Sequence, residues 1–131
     1  MRPGADHYGE VQAWDPTTGK KIWSYNFPKS QLFCSVTATA GELIFAGGTN
    51  DRNFRAFDAQ TGELLWEQKT NTGIVGMPIA YEVDGTEYIA VQSGWGVDAQ
   101  RIQDALATQN SIGVEDNVPQ GGVVWVFAVK K

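Results

Sequence analysis

Apolar and polar residues alternate in short runs along most of the chain, which is the pattern of β-strands with one buried face. In GEVQAWD, residues 9–15, Val11 and Ala13 fall on the same side of a strand, and NFRAFD, residues 53–58, repeats this alternation. Each run ends in a tight turn, PTTG or AQTG, and is followed by a second run, KKIWSYNF or ELLWEQK. The pattern predicts two β-hairpins, each with a tryptophan on its second strand.

Two further segments alternate in the same way around central turn residues. SVTATAGELIFAGG is predicted to turn at Ala40-Gly41, and MPIAYEVDGTEYIAVQSG at Asp84-Gly85, a dipeptide typical of two-residue hairpin loops. Successive hairpins of this kind predict an all-β fold.

One segment has a helical pattern instead. In DAQRIQDALATQ, residues 98–109, apolar side chains recur at helical spacing along one side, namely at Ala99, Ile102, Ala105 and Leu106. We expect a short helix within a long loop, residues 97–120, and loops of this length are more often functional than simple connections.

An eleven-residue sequence occurs twice at a separation of 43 residues, as AWDPTTGKKIW at 13–23 and AFDAQTGELLW at 56–66. A period of ~40–50 residues is that of a four-stranded β-propeller blade. We therefore predict a partial β-propeller of about two and a half blades. Its predicted parts are a half blade at 8–27, a full blade at about 33–69, and a last blade at about 77–129 that is interrupted by the insertion 97–120.

Composition argues against several classes of partner. The 131 residues carry a formal net charge of −5 and no basic stripe, so nucleic acid is not an expected partner. The longest apolar run, VVWVFAV at 123–129, is too short to span a membrane. Cys34 is the only cysteine, so no intrachain disulfide can form, and its apolar neighbours predict a buried, unreactive thiol.

The pattern Ala-x-Asp-x-x-Thr-Gly-x-x-x-Trp, present in both copies of the repeat, resembles the tryptophan-docking motif of the quinoprotein alcohol dehydrogenases. These are eight-bladed propellers that carry pyrroloquinoline quinone (PQQ). The stretch from TATAG to EYIAV, residues 37–91, is similar to the C-terminal blades of that family, and QGGVVWVFAV to its usual chain ending. The resemblance covers residues 8–129 and implies that Trp23 and Trp66 fasten one blade to the next.

The family's catalytic residues do not match positions in this chain. A catalytic Asp, the Glu, Asn and Asp that bind calcium or a lanthanide beside the quinone, and a disulfide between adjacent cysteines all lie on earlier blades of the family. The resemblance therefore implies PQQ and a metal in a longer parent enzyme, with no catalytic residue and no metal ligand contributed by this chain.

Two stretches align with family positions at the cofactor. Phe33 takes the place where a tryptophan is common, and Gly94, Trp95 and Gly96 match in kind the loop that reaches the quinone. The residues support the second assignment independently, because glycines on both sides of a tryptophan, directly after a strand, let backbone N–H groups approach a flat ligand. The alternative is that Trp95 simply packs under residues 97–120.

Other candidates have simpler explanations. His7 lacks Cys or His partners and is expected in a solvated loop. The pair Glu115-Asp116 is expected to keep its loop solvated. Asp98 and Asp104 would face the cofactor only if the short helix caps the substrate funnel.

A propeller of two and a half blades cannot close by itself. We therefore expect the C-terminal portion of a longer PQQ-dependent alcohol dehydrogenase, whose remaining blades are its partner. The resemblance implies a small primary or secondary alcohol as substrate, a c-type cytochrome as electron acceptor, and a periplasmic location, although these residues contain no signal peptide.

Two other functions remain open. Propeller scaffolds of the outer-membrane assembly type use similar repeats to hold partner proteins, and the chain could also be a self-associating structural module. The Gly94–Gly96 loop, the long insertion and the chain ending favour the enzyme.

Overall fold

A computed structural model describes residues 4–109 and 118–130 of the chain. Within these two ranges, nine strands form three antiparallel sheets, and one helix, α1 (Val97–Gln109), precedes the last strand. Sheet 1 pairs β1 (Gly9–Asp15) with β2 (Lys20–Phe27); sheet 2 has the order β3 (Thr37–Ala38), β4 (Leu43–Ala46), β5 (Asn53–Asp58), β6 (Leu64–Lys69); and sheet 3 has the order β7 (Ile79–Val83), β8 (Thr86–Gly94), β9 (Gly122–Val129). The predicted all-β architecture, with a short helix in the insertion, is confirmed.

The two copies of the repeat fold in the same way. Asp15 accepts hydrogen bonds from the amide of Thr17 and the hydroxyl of Thr18, and Asp58 accepts them from the amides of Gln60 and Thr61. The glycine that ends each turn, Gly19 or Gly62, has a positive φ, of 65° and 74° respectively. Each first strand also carries a bulge at the same place, directly after the repeated alanine. The repeated sequence thus specifies a repeated hairpin.

Sheets 1 and 2 enclose one apolar core. Its buried members are Val11, Phe27, Ala46 and Phe57, and Trp23, Tyr25, Leu32, Ile44 and Leu64 pack against them. The Tyr25 ring lies 4.8 Å from that of Phe57, which fixes the two sheets face to face.

Sheets 2 and 3 enclose a second core. Its buried members are Cys34, Phe45, Phe54, Ala56, Ile74, Ile89 and Val91. Phe127 of β9 stacks on Phe54 at 5.9 Å and meets the edge of Trp66 at 5.0 Å. Trp66 is nevertheless 37% exposed.

A charged side chain is buried at the seam between sheets 1 and 2. Arg55, 6% exposed, lies over the Phe27 ring at 5.3 Å and donates to the Thr49 hydroxyl at 2.9 Å. Asp51 forms a salt bridge with the same guanidinium, and Glu67 lies 3.3 Å from its Nε. These partners compensate for the desolvation of the arginine.

The predicted apolar side of the helix is confirmed at Ala99, which is buried, and at Leu106, which is half-buried, but it is wrong at Ile102 and Ala105. Ala99 and Gln103 are buried, whereas Ile102 is 42% exposed and Ala105 is also exposed. The helix takes this rotation because Gln103 Nε2 donates to the backbone carbonyl of Lys29 at 3.2 Å, a tertiary contact that periodicity cannot reveal.

No helix in the described ranges is long and apolar enough to cross a membrane. The pair Glu115-Asp116 lies outside the described residues.

Candidate functional site

Gly94, Trp95 and Gly96 connect the end of β8 to the start of α1 and lie along an open cavity of about 460 Å³. The rest of its lining is contributed by Val75, Gly76, Gln92, Ser93 and Gly121. A β-carbon added at Gly96 would meet no atom within 4 Å, so its backbone borders open space. A flat ligand could approach this backbone closely.

Phe33 and Trp95 come together although they are distant in sequence. Their rings meet edge to face, with centroids 5.2 Å apart and an interplanar angle of 90°. Trp95 is only 2% exposed and packs with Ala99 and Val118. The indole therefore lies beneath the helix, in the packing position that was the alternative interpretation of this residue.

The two glycines of the loop differ in what their backbones can offer. Gly94 N–H donates to the carbonyl of Gly73 at 2.7 Å and is thus occupied. Gly96 O accepts the first helical hydrogen bond from Gln100 N, at 3.1 Å, while Gly96 N–H has no acceptor within residues 4–109 and 118–130. Of these two amides, that of Gly94 is occupied, whereas that of Gly96 is unpaired within the described ranges.

The chain is similar to known proteins over most of its length. The family described as "PQQ: Glucose/ethanol/alcohol dehydrogenase, beta-propeller domain" matches residues 29–89. A quinoprotein ethanol dehydrogenase of Pseudomonas putida is 41% identical over 131 residues, covering 95% of this chain and 19% of that protein. A 1-butanol dehydrogenase (cytochrome c) of Thauera butanivorans is 37% identical over 94 residues, which is 72% of this chain and 13% of that protein.

Comparison with solved structures also relates the chain to alcohol-oxidising enzymes. A europium-containing methanol dehydrogenase superposes with a TM-score of 0.76 at 33% identity, covering 96% of this chain and 24% of that one. This chain belongs to the quinoprotein alcohol dehydrogenase family. It spans about a fifth of the length of the curated relatives that it matches, and its three sheets are parts of a β-propeller.

The chain supports its cavity with a polar network that the sequence analysis missed. Ser93, fully buried, donates to Asn71 Oδ1 at 2.7 Å and accepts the amide of Val123 at 3.3 Å. Trp125 Nε1 also donates to Asn71 Oδ1, at 3.2 Å. Thr72 donates to the carbonyl of Pro119. Isolated Ser, Asn and Thr residues in strand-end segments give no sequence signal of such contacts.

Cys34 lies beside the cavity as an unreactive thiol, as expected. Its single S–H faces the carbonyls of Ser35 and Gly76, each 3.1 Å from Sγ. Burial raises its pKa to about 11, against a smaller lowering effect of a backbone hydrogen bond from Gly47. The thiolate that a nucleophile or metal ligand needs is therefore not formed near neutral pH.

No group of three or more His, Cys, Asp or Glu side chains within the described part of the chain could hold a metal ion. His7 instead pairs with Asp6 at 2.7 Å and with Glu10 at 3.4 Å, and the hydrogen bond to Asp6 raises its pKa. Asp98 lies 3.9 Å from Arg101 on the exposed side of α1, and Asp104 accepts a hydrogen bond from Gln100.

Proposed function

We propose that this chain is the C-terminal portion of a PQQ-dependent alcohol dehydrogenase that oxidises a primary or secondary alcohol to an aldehyde or ketone. Its part is to form the quinone site with Gly94, Trp95 and Gly96, which line the cavity, and with Phe33, whose ring packs on Trp95. Residues 97–120 would cap the substrate funnel. The observation that supports this most directly is the glycine-bordered cavity at the end of β8, within a chain related to quinoprotein ethanol dehydrogenase.

The cavity suits a flat, carboxylated quinone. Its volume lies within the ~300–1,000 Å³ usual for small-molecule sites. Four of its lining residues are glycines, so a ring system can lie against the backbone, and Gly96 N–H can donate to a carboxylate or carbonyl oxygen. When bound, PQQ accepts the electrons and protons removed from the alcohol. The residues of this chain bind and orient it, and the chain alone is not catalytic.

The metal of the parent enzyme, calcium or a lanthanide, would be held by residues outside this chain. The europium named in the structural neighbour supports a metal in the parent enzyme.

The partner of this chain is the remainder of the propeller. Sheet 3 turns an apolar face away from sheet 2, formed by Ile79, Tyr81, Val83, Val124 and Val126, each 40% exposed or more. β9 has one neighbour, β8, within the described residues, so its other edge can pair with a further strand. An exposed apolar face beside a free edge fits another blade.

We further infer a c-type cytochrome as electron acceptor of the parent and a periplasmic location. A relative named as a cytochrome c-linked 1-butanol dehydrogenase supports the first inference. The second follows from the family resemblance.

Native mass spectrometry of the chain as isolated, together with the absorption spectrum of the same sample, tests the proposal. A larger complementary chain and a quinone absorption band would support it. A lone 14.3 kDa species that stays colourless after PQQ and calcium are added would contradict it and favour a structural module.

A matched pair of variants tests the cavity. Gly96→Ala places a methyl group in the open space, whereas Gly41→Ala adds one at a turn where the β-carbon makes ordinary contacts of 3.7 and 3.8 Å. We expect the PQQ dissociation constant of the assembled protein to rise about tenfold in Gly96→Ala and to stay unchanged in Gly41→Ala. Equal affinities would place the quinone elsewhere.

A further inference from the structure

Gly73 lies directly against the ring of Trp95. A β-carbon at position 73 would overlap the indole atoms Cδ2, Cε3 and Cζ3. The φ angle of Gly73 is outside the left-handed region, so glycine is required here for space and not for backbone conformation. The carbonyl of the same residue accepts the Gly94 amide at 2.7 Å. Gly73 thus provides the space for the Trp95 ring, and its carbonyl holds the backbone of Gly94, the residue before Trp95.

Gln100 holds the opposite side of the indole. Trp95 Nε1 donates to Gln100 Oε1 at 3.0 Å, and Gln100 Nε2 donates to Asp104 Oδ1 at 2.7 Å. Because an ionised carboxylate can only accept, Asp104 determines that the amide nitrogen of Gln100 faces it and that the oxygen faces Trp95. The side chain of Gln100 is therefore held in the one orientation that accepts from the indole.

These contacts make Trp95 a link between the loop and the helix. Gly94 before it is fixed by Gly73, and the carbonyl of Gly96 after it starts α1. Phe33 closes a further side of the ring. A change in the indole position would accordingly move the Gly96 amide and the first turn of the helix together.

We infer that Gly73 and Gln100 are positioning residues for the cavity, since they fix Trp95 and through it the direction of the Gly96 amide and the placement of α1. Neither residue lines the cavity itself. The inference rests on the proposed function only in taking PQQ as the occupant of the cavity.

The first test needs no ligand and uses nuclear magnetic resonance of the whole chain, with the Trp95 indole signal assigned through Trp95→Phe. Gln100→Leu removes the acceptor at nearly constant volume. We expect it to shift the Trp95 indole signal, to speed its hydrogen exchange about tenfold, and to shift the Gly96 amide. Unchanged signals would overturn the inference.

The chain contains a matched control. On sheet 1, Trp14 Nε1 donates to Gln12 Oε1 at 2.8 Å and Gln12 Nε2 donates to Glu10 at 2.6 Å, which is the same relay on an exposed surface. Gln12→Leu is therefore expected to leave the Trp95 and Gly96 signals unchanged. An equal response in both variants would contradict a specific role of Gln100.

The role of Gly73 is tested by combining Gly73→Ala with a second substitution that removes the clash. The added methyl group collides with the six-membered ring of the Trp95 indole. This collision is absent when position 95 carries the smaller ring of phenylalanine. We expect Gly73→Ala to lower the unfolding midpoint in the wild-type background and to do so much less with Trp95→Phe, a coupling that a double-mutant cycle measures. Additive effects would contradict the inference even if the single variant folds poorly.

PQQ titration of the assembled protein separates this inference from the proposed function. If wild type binds and Gln100→Leu binds about tenfold more weakly while Gln12→Leu is unchanged, both hold. Equal binding by all three overturns the positioning role alone. If wild type binds no quinone, the proposed function fails, and the indole and Gly96 signals alone decide whether Gly73 and Gln100 position the loop.

Discussion

Trp23 donates a hydrogen bond from its indole nitrogen to the backbone carbonyl of Ala59, 2.9 Å away, and so joins sheet 1 to the turn between β5 and β6 of sheet 2. The same ring lies against Gly62, where a β-carbon would come within 2.6 Å of Cδ2 and Cε3. The tryptophan of one repeat therefore contacts the glycine turn of the next.

This contact predicts different effects of alanine at the two equivalent glycines. Gly19 and Gly62 both have a positive φ, but a β-carbon at Gly19 meets nothing within 4 Å. Gly19→Ala should therefore cost about 1 kcal/mol of unfolding free energy, from backbone strain alone. Gly62→Ala should cost about 1–3 kcal/mol more, because the methyl group overlaps Trp23.

Urea denaturation of both variants measures the difference, and Trp23→Leu provides the control background. The two glycine variants should converge in that background, since the large ring is gone. Equal costs with Trp23 present would show that the ring does not pack on Gly62.

The repeat explains why the hairpins and this contact could be predicted. Motif residues such as Asp58 and Gly62 act within their own turn, and the small residue that a tryptophan ring needs recurs at the same distance along the chain. Turn-forming and small residues that recur at a fixed spacing therefore specify most of the sheet architecture.

The cavity was only partly predictable, because its supports are tertiary contacts. Sequence placed Phe33 and Trp95 in one site, and their rings do meet. It did not indicate that Gly73 provides the space for Trp95, nor that Asn71 and Ser93 bond to each other across 22 residues. No fixed sequence separation relates the two members of such a pair, so the sequence alone does not predict their contact.

Cys34 predicts a pH dependence of stability. Burial raises the pKa of its thiol from the ordinary value of 9.0 to about 11. Above pH 9 the unfolded chain loses this proton while the folded chain keeps it, so the stabilisation is complete below pH 9 and is lost as pH rises through about 11.

The experiment compares unfolding free energies of wild type and Cys34→Ala between pH 8 and pH 11. All other ionisable groups are the same in both proteins, so the difference between them isolates the thiol. We expect the advantage of wild type to shrink as pH rises. A constant difference would show that the thiol ionises as it does in water.

The buried ion pair predicts an opposite dependence on acid. Burial tends to raise the pKa of Asp51, but hydrogen bonds from Arg55 and Thr49 outweigh it and lower the pKa below 3.8. The carboxylate thus contributes stability above pH 3.8 that is lost as pH falls through the lowered pKa.

Asp51→Asn should cost about 2 kcal/mol at pH 7, since it leaves the buried Arg55 with only part of its compensation. The effect should shrink as pH falls below 3.8 toward the lowered pKa of the wild-type carboxyl. Asp98→Asn, which removes an exposed pair with Arg101, should cost less than about 0.5 kcal/mol. Similar costs for the two variants in denaturant titrations would mean that burial adds nothing to the Asp51 pair.

The rotation of α1 gives the last prediction, because it distinguishes the observed helix from the one that periodicity alone suggests. Ala99 and Ile102 both belong to the apolar side that periodicity predicts, yet Ala99 is 7% exposed and packs against Trp95 and Val118, whereas Ile102 is 42% exposed. Ala99→Asp should detach the helix, since a carboxylate there has no compensating partner, while Ile102→Asp should leave it in place. Hydrogen exchange of the α1 amides and of the Trp95 indole reports this directly, with faster exchange in Ala99→Asp alone. If Ile102→Asp had the larger effect, the helix would bury the apolar side that its sequence favours, and Gln103 would lose its contact with Lys29.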